Sequence, residues 1–168
     1  IPLSLYLHFP WCEKKCPYCD FNSHEAGNTF PEKAYVNALL ADLDFESRTE
    51  SRAIHSVFLG GGTPSLFSAN SISRVLAHTS TQFTLTDDVE ITLEANPGAI
   101  DNARIEGFRQ AGVNRLSIGV QSFDDKKLHQ LGRIHSAAEA SEAFHQARRA
   151  GFNNINLDLM HGLPGQTW

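Results

Sequence analysis

Short apolar runs alternate with longer segments of helical periodicity along most of this 168-residue chain. The runs have the length and composition of β-strands. They are LSLYLHF (3–9), HSVFLG (55–60), VEITLEA (89–95), RLSIGV (115–120) and INLDLMHG (155–162). Because each run is separated from the next by enough residues for a crossover connection, the pattern predicts parallel strands joined by helices.

The segments between the runs carry helix signals, namely apolar side chains at helical spacing, N-capping residue types and terminal glycines. These signals predict helices over about 31–48 after Pro31, from Ser68, from Asp101 to near Gly112, over 124–131, and over 137–149 before Gly151.

The predicted fold class is α/β, a parallel (β/α) partial TIM-type barrel that stops after about five β/α units. A doubly covered open sheet is the alternative. Since GLPGQTW predicts the start of another helix, we expect residues 1–168 to be one incomplete domain. The remaining barrel unit and a C-terminal domain are expected to follow it. We also expect exposed apolar edges at the first and fifth strands, and self-association of the isolated segment.

Composition excludes some classes of function. A net charge of −5 disfavours general binding to nucleic acid, and no apolar run is long enough to cross a bilayer. The chain has three cysteines, which cannot all pair with one another, so a disulfide framework is disfavoured. Clustered free thiols indicate a reducing compartment, and a cytoplasmic location is expected.

The three cysteines lie together in YLHFPWCEKKCPYCDF, directly after the first predicted strand. Cys12, Cys16 and Cys19 are soft ligands suited to an iron–sulfur cluster. On a four-iron cluster they would leave one iron free to bind a substrate. A zinc site with His8 or His24 as the fourth ligand, or three reduced cysteines without a function, are the alternatives.

Polar or glycine-rich positions follow the other strands, where parallel α/β folds place their functional residues. Each has a structural alternative, such as a plain turn, a local salt bridge or a surface side chain. The candidates are Gly61, Gly62 and Thr63 in GGGTPS, Glu94 in LEANPG, Gln121 in SIGVQSF, Arg133 in LGRIH and Asp158 in NLDLMHG. Glycine lets the backbone approach a ligand with exposed amides and carbonyls, whereas a strand carboxylate needs a partner.

The spacing C-x3-C-x-aromatic-C after the first strand resembles the signature of the radical SAM (S-adenosylmethionine) superfamily. The motifs SLYLHFPWCEKKCPYCDFNSH, FLGGGTPS, LEANPG, GVNRLSIGVQSFDDKKLHQLGRIH and NLDLMHGLPGQT resemble its oxygen-independent coproporphyrinogen III oxidase-like family, in the haem-chaperone (HemW-like) branch. The resemblance implies a radical SAM core with a [4Fe–4S] cluster whose open iron chelates SAM and whose electron cleaves it to methionine and a 5′-deoxyadenosyl radical.

The resemblance also implies roles for individual residues. Tyr6 and Tyr18 would join the SAM site. Gln121 and Asp158 would hold the ribose, while Glu94 and Arg133 would hold the amino and carboxylate ends, and the glycine turn would recognise the amino group. No haem ligand is assigned; the side chains able to ligate iron are His8, His24, His129, His135 and His161.

Two functions remain open at this stage. One is a chaperone that binds haem as cargo and transfers it to apoproteins such as respiratory enzymes. The other is a coproporphyrinogen III oxidase acting on a porphyrinogen in porphyrin biosynthesis. By the resemblance, true oxidases carry a further cysteine where this chain has Phe21, and an N-terminal extension. A reductant protein, peripheral contact with membrane proteins and a homodimer are further expectations.

Overall fold

The computed structural model describes residues 1–27 and 29–167, and within them it contains seven strands. They are β1 (Leu3–Phe9), β2 (Trp11–Cys12), β3 (His24–Glu25), β4 (Ile54–Gly61), β5 (Leu85–Ala95), β6 (Arg115–Gln121) and β7 (Asn154–Leu159). Five of them form one sheet in the order β1-β4-β5-β6-β7, and every neighbouring pair is parallel. The predicted parallel α/β architecture is therefore confirmed.

The helices lie between the strands of this sheet. They are α1 (Glu32–Glu46), α2 (Ala69–Gln82), α3 (Asn102–Gln110), α4 (Asp125–Gln130) and α5 (Ala137–Arg149). The predicted caps are present, because the Ser68 hydroxyl accepts from the Ser71 amide and the Asp101 carboxylate accepts from the Arg104 amide. Ser136 and Glu139 form a reciprocal capping box at the start of α5.

Several boundaries differ from the sequence prediction. β5 starts at Leu85 rather than residue 89, although LTDDV contains two aspartates that disfavour strands. The two-residue strands β2 and β3 and the 3-10 turns Pro64–Leu66 and Pro97–Ala99 were not predicted. The further helix that GLPGQTW predicts would involve Trp168, which lies outside the described residues.

The two faces of the sheet differ in chemistry. In β6, Leu116, Ile118 and Val120 are buried in the same core as the apolar faces of the helices, whereas Ser117 and Gln121 belong to the other face. The same alternation runs through the neighbouring strands, since the aligned positions are in register across the sheet. The helices thus cover one face and leave a polar face, as in the wall of a barrel.

β1 and β7 are the edge strands of the five-stranded sheet, as the sequence predicted. Leu159 at the end of β7 is 58% exposed. None of the helices in the described ranges combines the length and the apolar character needed to cross a membrane.

Candidate functional site

The cysteine loop is closed at its base by the short β2–β3 ladder, which pairs Trp11 with His24 and Cys12 with Glu25. The Cys19 amide donates to the Cys16 carbonyl at 3.0 Å, which forms a turn between the second and third cysteines. All three cysteines are free thiols of intermediate exposure. The ladder and the turn therefore give a short segment the curvature it needs to direct three thiols to one region.

Two side chains fasten this loop. Lys15 donates from Nζ to the carbonyls of Phe21 and Ser23 at 3.1 and 3.0 Å. His8 in β1 contacts the carbonyl of Asn22 through Nε2 at 2.9 Å, and its Nδ1 lies 3.0 Å from the Tyr6 hydroxyl. A carbonyl only accepts, so Nε2 carries the proton and Nδ1 accepts from Tyr6. Both ring nitrogens of His8 are thus engaged in hydrogen bonds, and His8 would have to give up one of them to bind zinc.

Within residues 1–27 and 29–167, no group of three or more His, Cys, Asp or Glu side chains is arranged to hold a single metal ion. An iron–sulfur cluster does not require its protein ligands to converge on a single ion, because each thiolate ligates its own iron atom.

The glycine turn after β4 is tied to the cysteine segment. The Gly62 amide donates to the Phe9 carbonyl and the Thr63 amide to the Trp11 carbonyl, both at 2.7 Å. The Gly61 amide donates to the Glu94 carboxylate at 3.0 Å. All three amides thus have partners within the protein, and the prediction that this turn contacts a ligand would have to be met by its carbonyls. An ammonium group, which only donates, would need carbonyl or carboxylate oxygens here.

Glu94, near the end of β5, is a partly buried carboxylate. In the described part of the chain no salt bridge reaches it, so the predicted alternative of a neighbouring arginine is not supported. Burial raises the pKa of Glu94 above its ordinary value, the Gly61 amide opposes that shift, and the negative charge of Asp158 adds to it. A bound cation would offset both the burial and the repulsion.

Asp158 in β7 is held by neutral donors. The Ser117 hydroxyl lies 3.4 Å from both carboxylate oxygens, and the Asn156 amide donates to Oδ1 at 2.6 Å. Gln121, at the end of β6, has a positive φ of 67°, and its carbonyl accepts from the Met160 amide at 2.9 Å. A non-glycine residue in this conformation is uncommon and often belongs to a functional site.

Arg133 lies in the segment between α4 and α5 and reaches the cysteine loop. Its Nη2 donates to the Gly119 carbonyl at 2.7 Å, and its Nη1 lies 3.6 Å from Cys16 Sγ. Its Nε is buried without a hydrogen-bond partner among the described residues. A buried unpaired guanidinium nitrogen requires an acceptor, and a ligand carboxylate would provide one.

The two tyrosines flank the same region. Burial raises the pKa of Tyr18 to about 12, the charge of Arg133 opposes that shift, and the neighbouring Cys16 adds to it. Burial also raises the pKa of Tyr6, and the Glu94 carboxylate adds to the effect. Tyr18 and Tyr6 remain 41% and 55% exposed, so both rings offer surface to a ligand.

One pocket at the carboxyl ends of the strands unites these residues. Every predicted site residue except Tyr6 lines it: Cys12, Cys16, Tyr18, Cys19, Gly61, Gly62, Thr63, Glu94, Gln121, Arg133 and Asp158. Its empty volume is about 710 Å³, which includes open solvent at the mouth. The lining combines three thiols, two carboxylates, an amide and a guanidinium that approaches Cys16, and this set of groups fits an iron–sulfur cluster together with a zwitterionic nucleoside.

Sequence reasoning missed the residues that support this pocket. Ser117 and Asn156 hold Asp158, and the period-two pattern of β6 and β7 could have placed them on the pocket face. His135 was considered only as an iron ligand, yet it is buried and contacts Arg133. Nothing in the sequence indicates that Lys15 fastens the loop.

Comparisons with known proteins agree with this geometry. The model of the Radical SAM superfamily matches residues 6–168. Such a domain implies a [4Fe–4S] cluster and S-adenosylmethionine as cofactors. The chain is 53% identical to a Haemophilus influenzae protein and 50% identical to an Escherichia coli protein, both named "Heme chaperone HemW". Each match covers 99% of this chain but only 45% and 44% of the relative, so the chain spans less than half of their length.

Solved structures show the same fold. The structure of coproporphyrinogen III oxidase (HemN) from Escherichia coli, described as a Radical SAM enzyme, matches with a TM-score of 0.90 and 32% identity, over 99% of this chain and 38% of that one. Methylornithine synthase (PylB) matches with a TM-score of 0.64 at 16% identity, over 99% and 47%, which supports the fold alone. The sequence motifs, the fold and these matches lead to one conclusion: the chain belongs to the radical SAM superfamily.

Proposed function

We propose that the protein carrying this chain is a haem chaperone, which binds a [4Fe–4S] cluster and S-adenosylmethionine here and transfers haem to apoproteins. The observation that carries the proposal is a pocket among the described residues that is lined by three free cysteines together with polar or glycine residues from four strand ends. The two relatives named as haem chaperones are about half identical to this segment, and their names support haem as the cargo.

We assign the cluster to Cys12, Cys16 and Cys19, and S-adenosylmethionine to the remaining residues of the pocket. Glu94 accepts from the amino group, Arg133 pairs with the carboxylate, and Gln121 and Asp158 bind the ribose hydroxyls. Gly61, Gly62 and Thr63 keep the backbone close to the cysteine segment, and Tyr6 and Tyr18 cover the ligand. The incomplete radical SAM core, residues 1–168, is proposed to be continued by a further barrel unit and a C-terminal domain.

When bound, the cluster supplies an electron that reductively cleaves S-adenosylmethionine. The contributions of this chain are binding and orientation. Arg133 offers its unpaired Nε to an anion, and Glu94 lies 3.0 Å from the Gly61 amide, which holds its carboxylate in place. The Glu94 carboxylate and the Arg133 guanidinium both line the pocket, and their opposite charges favour one orientation of a zwitterion.

A coproporphyrinogen III oxidase is the second candidate. The match to that enzyme at a TM-score of 0.90 favours it. Phe21, which is 60% exposed and lines the pocket, stands against it, since a cysteine is expected at that position of a true oxidase. A phenyl ring cannot act as a thiol in proton or hydrogen transfer.

Product analysis distinguishes the two candidates. The intact protein is reconstituted without oxygen, reduced, and given S-adenosylmethionine and coproporphyrinogen III. The chaperone account predicts no protoporphyrinogen, together with haem binding and haem transfer to a respiratory apoprotein in the same preparation. Stoichiometric protoporphyrinogen formation would favour the oxidase.

Partners and location follow from the same proposal. Haem, recipient apoproteins and a reductant protein are the expected partners, with peripheral contact with membrane proteins where the recipient is a respiratory enzyme. The net charge of −5 still gives no reason to propose nucleic acid. A cytoplasmic location and a homodimer are also proposed.

Replacing Glu94 by glutamine is expected to make the iron-free protein more stable at neutral pH. Burial raises the pKa of Glu94 in the folded state above 4.5, its ordinary value. At pH values between the unfolded-state pKa and the folded-state pKa, the folded state therefore binds more protons than the unfolded state. Stability contributed by this group therefore falls as the pH rises through that window. The gain in denaturation temperature on Glu94→Gln should vanish below pH 4.

The same variant should bind S-adenosylmethionine about ten- to a hundredfold more weakly, because it loses a charge-assisted acceptor for the ammonium group. Glu90→Gln is the matched control, since Glu90 lies on the same face of β5 but outside the pocket. Equal affinity in the wild type and Glu94→Gln, measured by calorimetry, would remove Glu94 from the site.

Replacing Arg133 by alanine should weaken S-adenosylmethionine binding by about ten- to a hundredfold while iron content stays unchanged, since a charged hydrogen bond to the carboxylate is lost. Arg115→Ala is the control, because Arg115 bonds to Thr92 and does not line the pocket. Wild-type affinity in Arg133→Ala would show that the carboxylate binds elsewhere.

A further inference from the structure

Arg133 is a cation with unusual partners. In the described part of the chain, no carboxylate forms a salt bridge with it. Its hydrogen-bond partners are the Gly119 carbonyl, the His135 ring and the Cys16 sulfur. Buried or half-buried cations usually pair with an anion, so the full positive charge of this guanidinium remains available to the pocket.

His135 is the neutral residue that holds this cation. Its side chain is buried, with 4% exposure, and its Nε2 lies 3.0 Å from the Val120 carbonyl. Because a carbonyl only accepts, Nε2 carries the proton. The unprotonated Nδ1 is then left to accept from Arg133 Nη2 at 3.5 Å.

The environment of His135 keeps the ring in this form. Burial lowers the pKa of His135, and the positive charge of Arg133 lowers it further. A neutral imidazole presents a lone pair to the guanidinium, whereas an imidazolium would repel it. The four groups therefore form one hydrogen-bonded chain, in which His135 donates to the Val120 carbonyl and Arg133 donates both to His135 and to Cys16 Sγ.

We propose that His135 is a positioning residue that aims the charge of Arg133 at Cys16 and thereby raises the reduction potential of the cluster. Reduction adds negative charge to a cluster and its thiolates, so a hydrogen bond and a positive charge at one thiolate stabilise the reduced form. This role differs from pairing with the carboxylate of a ligand, because it acts before S-adenosylmethionine binds. It rests on the proposed cluster ligands.

Two substitutions at His135 separate its two hydrogen bonds. His135→Gln can still donate to the Val120 carbonyl through a terminal amide at the reach of Nε2, but it has no acceptor at the place of Nδ1. His135→Asn can offer its carbonyl oxygen close to the place of Nδ1, and it loses the donor to Val120. A merely structural role for His135 would affect the potential in neither variant.

The test is an EPR-monitored redox titration of the reconstituted, intact protein without S-adenosylmethionine. We expect the equilibrium constant for one-electron reduction to fall about tenfold in His135→Gln, which corresponds to about 59 mV. We expect His135→Asn to keep the wild-type potential. An unchanged potential in His135→Gln, or equal shifts in both variants, overturns the proposal.

Arg133→Gln decides the matter if His135→Gln loads no cluster, because it removes the charge and leaves the buried imidazole in place. A lower potential supports the proposal and a wild-type potential overturns it. Failure of the proposed cluster ligands has a different signature, since wild-type protein would then contain no four-iron cluster. Failure of the chaperone proposal alone would appear as protoporphyrinogen formation in the product analysis. An intact cluster with unchanged potentials overturns the role of His135 alone.

Discussion

Alanine at Cys12, Cys16 or Cys19 is expected to reduce the iron content of the reconstituted protein from about four atoms per chain to nearly none. The pocket offers three thiols, and in the proposed site each ligates its own iron. With two thiolates left, two irons would lack a protein ligand, and such a cluster is readily lost to solvent. Iron analysis and the visible absorption of the cluster measure the effect.

Glu13→Gln is the matched control, because Glu13 is exposed beside Cys12 and lies outside the pocket. It should load iron as the wild type does. Wild-type iron content in any of the three cysteine variants would mean that the cysteine loop does not hold the cluster. It would also contradict the assignment of the pocket to S-adenosylmethionine, since that assignment requires the open iron.

Replacing Gly62 by alanine should destabilise the iron-free protein by about 3 kcal/mol, near the upper end of the usual cost of overpacking. An added Cβ would lie 2.7 Å from the Trp11 carbonyl oxygen, 2.8 Å from that of Phe9 and 2.8 Å from the carbonyl carbon of Pro10. These are backbone atoms, so no side chain can rotate to relieve the contact. The segment that carries Cys12 has to shift instead.

The measurement is the denaturation midpoint of the iron-free protein, followed by iron content after reconstitution. Gly98→Ala is the control, because the nearest atoms to its added Cβ lie 3.7 Å away and its φ is not positive. That variant should match the wild type in both assays. Wild-type stability and wild-type iron content in Gly62→Ala would show that neither folding nor cluster loading depends on the close approach of the glycine turn to the cysteine segment.

The fold was predictable because its signals are local. The alternation of Leu116, Ile118 and Val120 with Ser117 defines a strand with two chemically different faces, and Ser68 and Asp101 cap helices through bonds within one turn. The strands β2 and β3 were missed because their pairing joins Trp11 to His24 across a loop. A two-residue strand has no periodicity of its own.

Most candidate residues of the site were predicted from position, because strand ends meet at one edge of a parallel sheet. Tyr6 and Tyr18 were predicted only from the family resemblance. The partners of the site residues were not predictable in the same way. That the Gly61 amide bonds to Glu94, 33 positions later, depends on the register between β4 and β5. Likewise, His135 contacts Val120 only because the chain after α4 folds back to β6.

The most direct test of the account is the EPR spectrum of the reduced cluster in the intact protein, with and without S-adenosylmethionine. Three cysteine ligands leave one iron without a protein ligand, so binding at that iron must change its coordination and the spectrum. We predict a clear spectral change that saturates with the ligand. An identical spectrum at saturating S-adenosylmethionine, in protein that contains the four-iron cluster, would contradict the account.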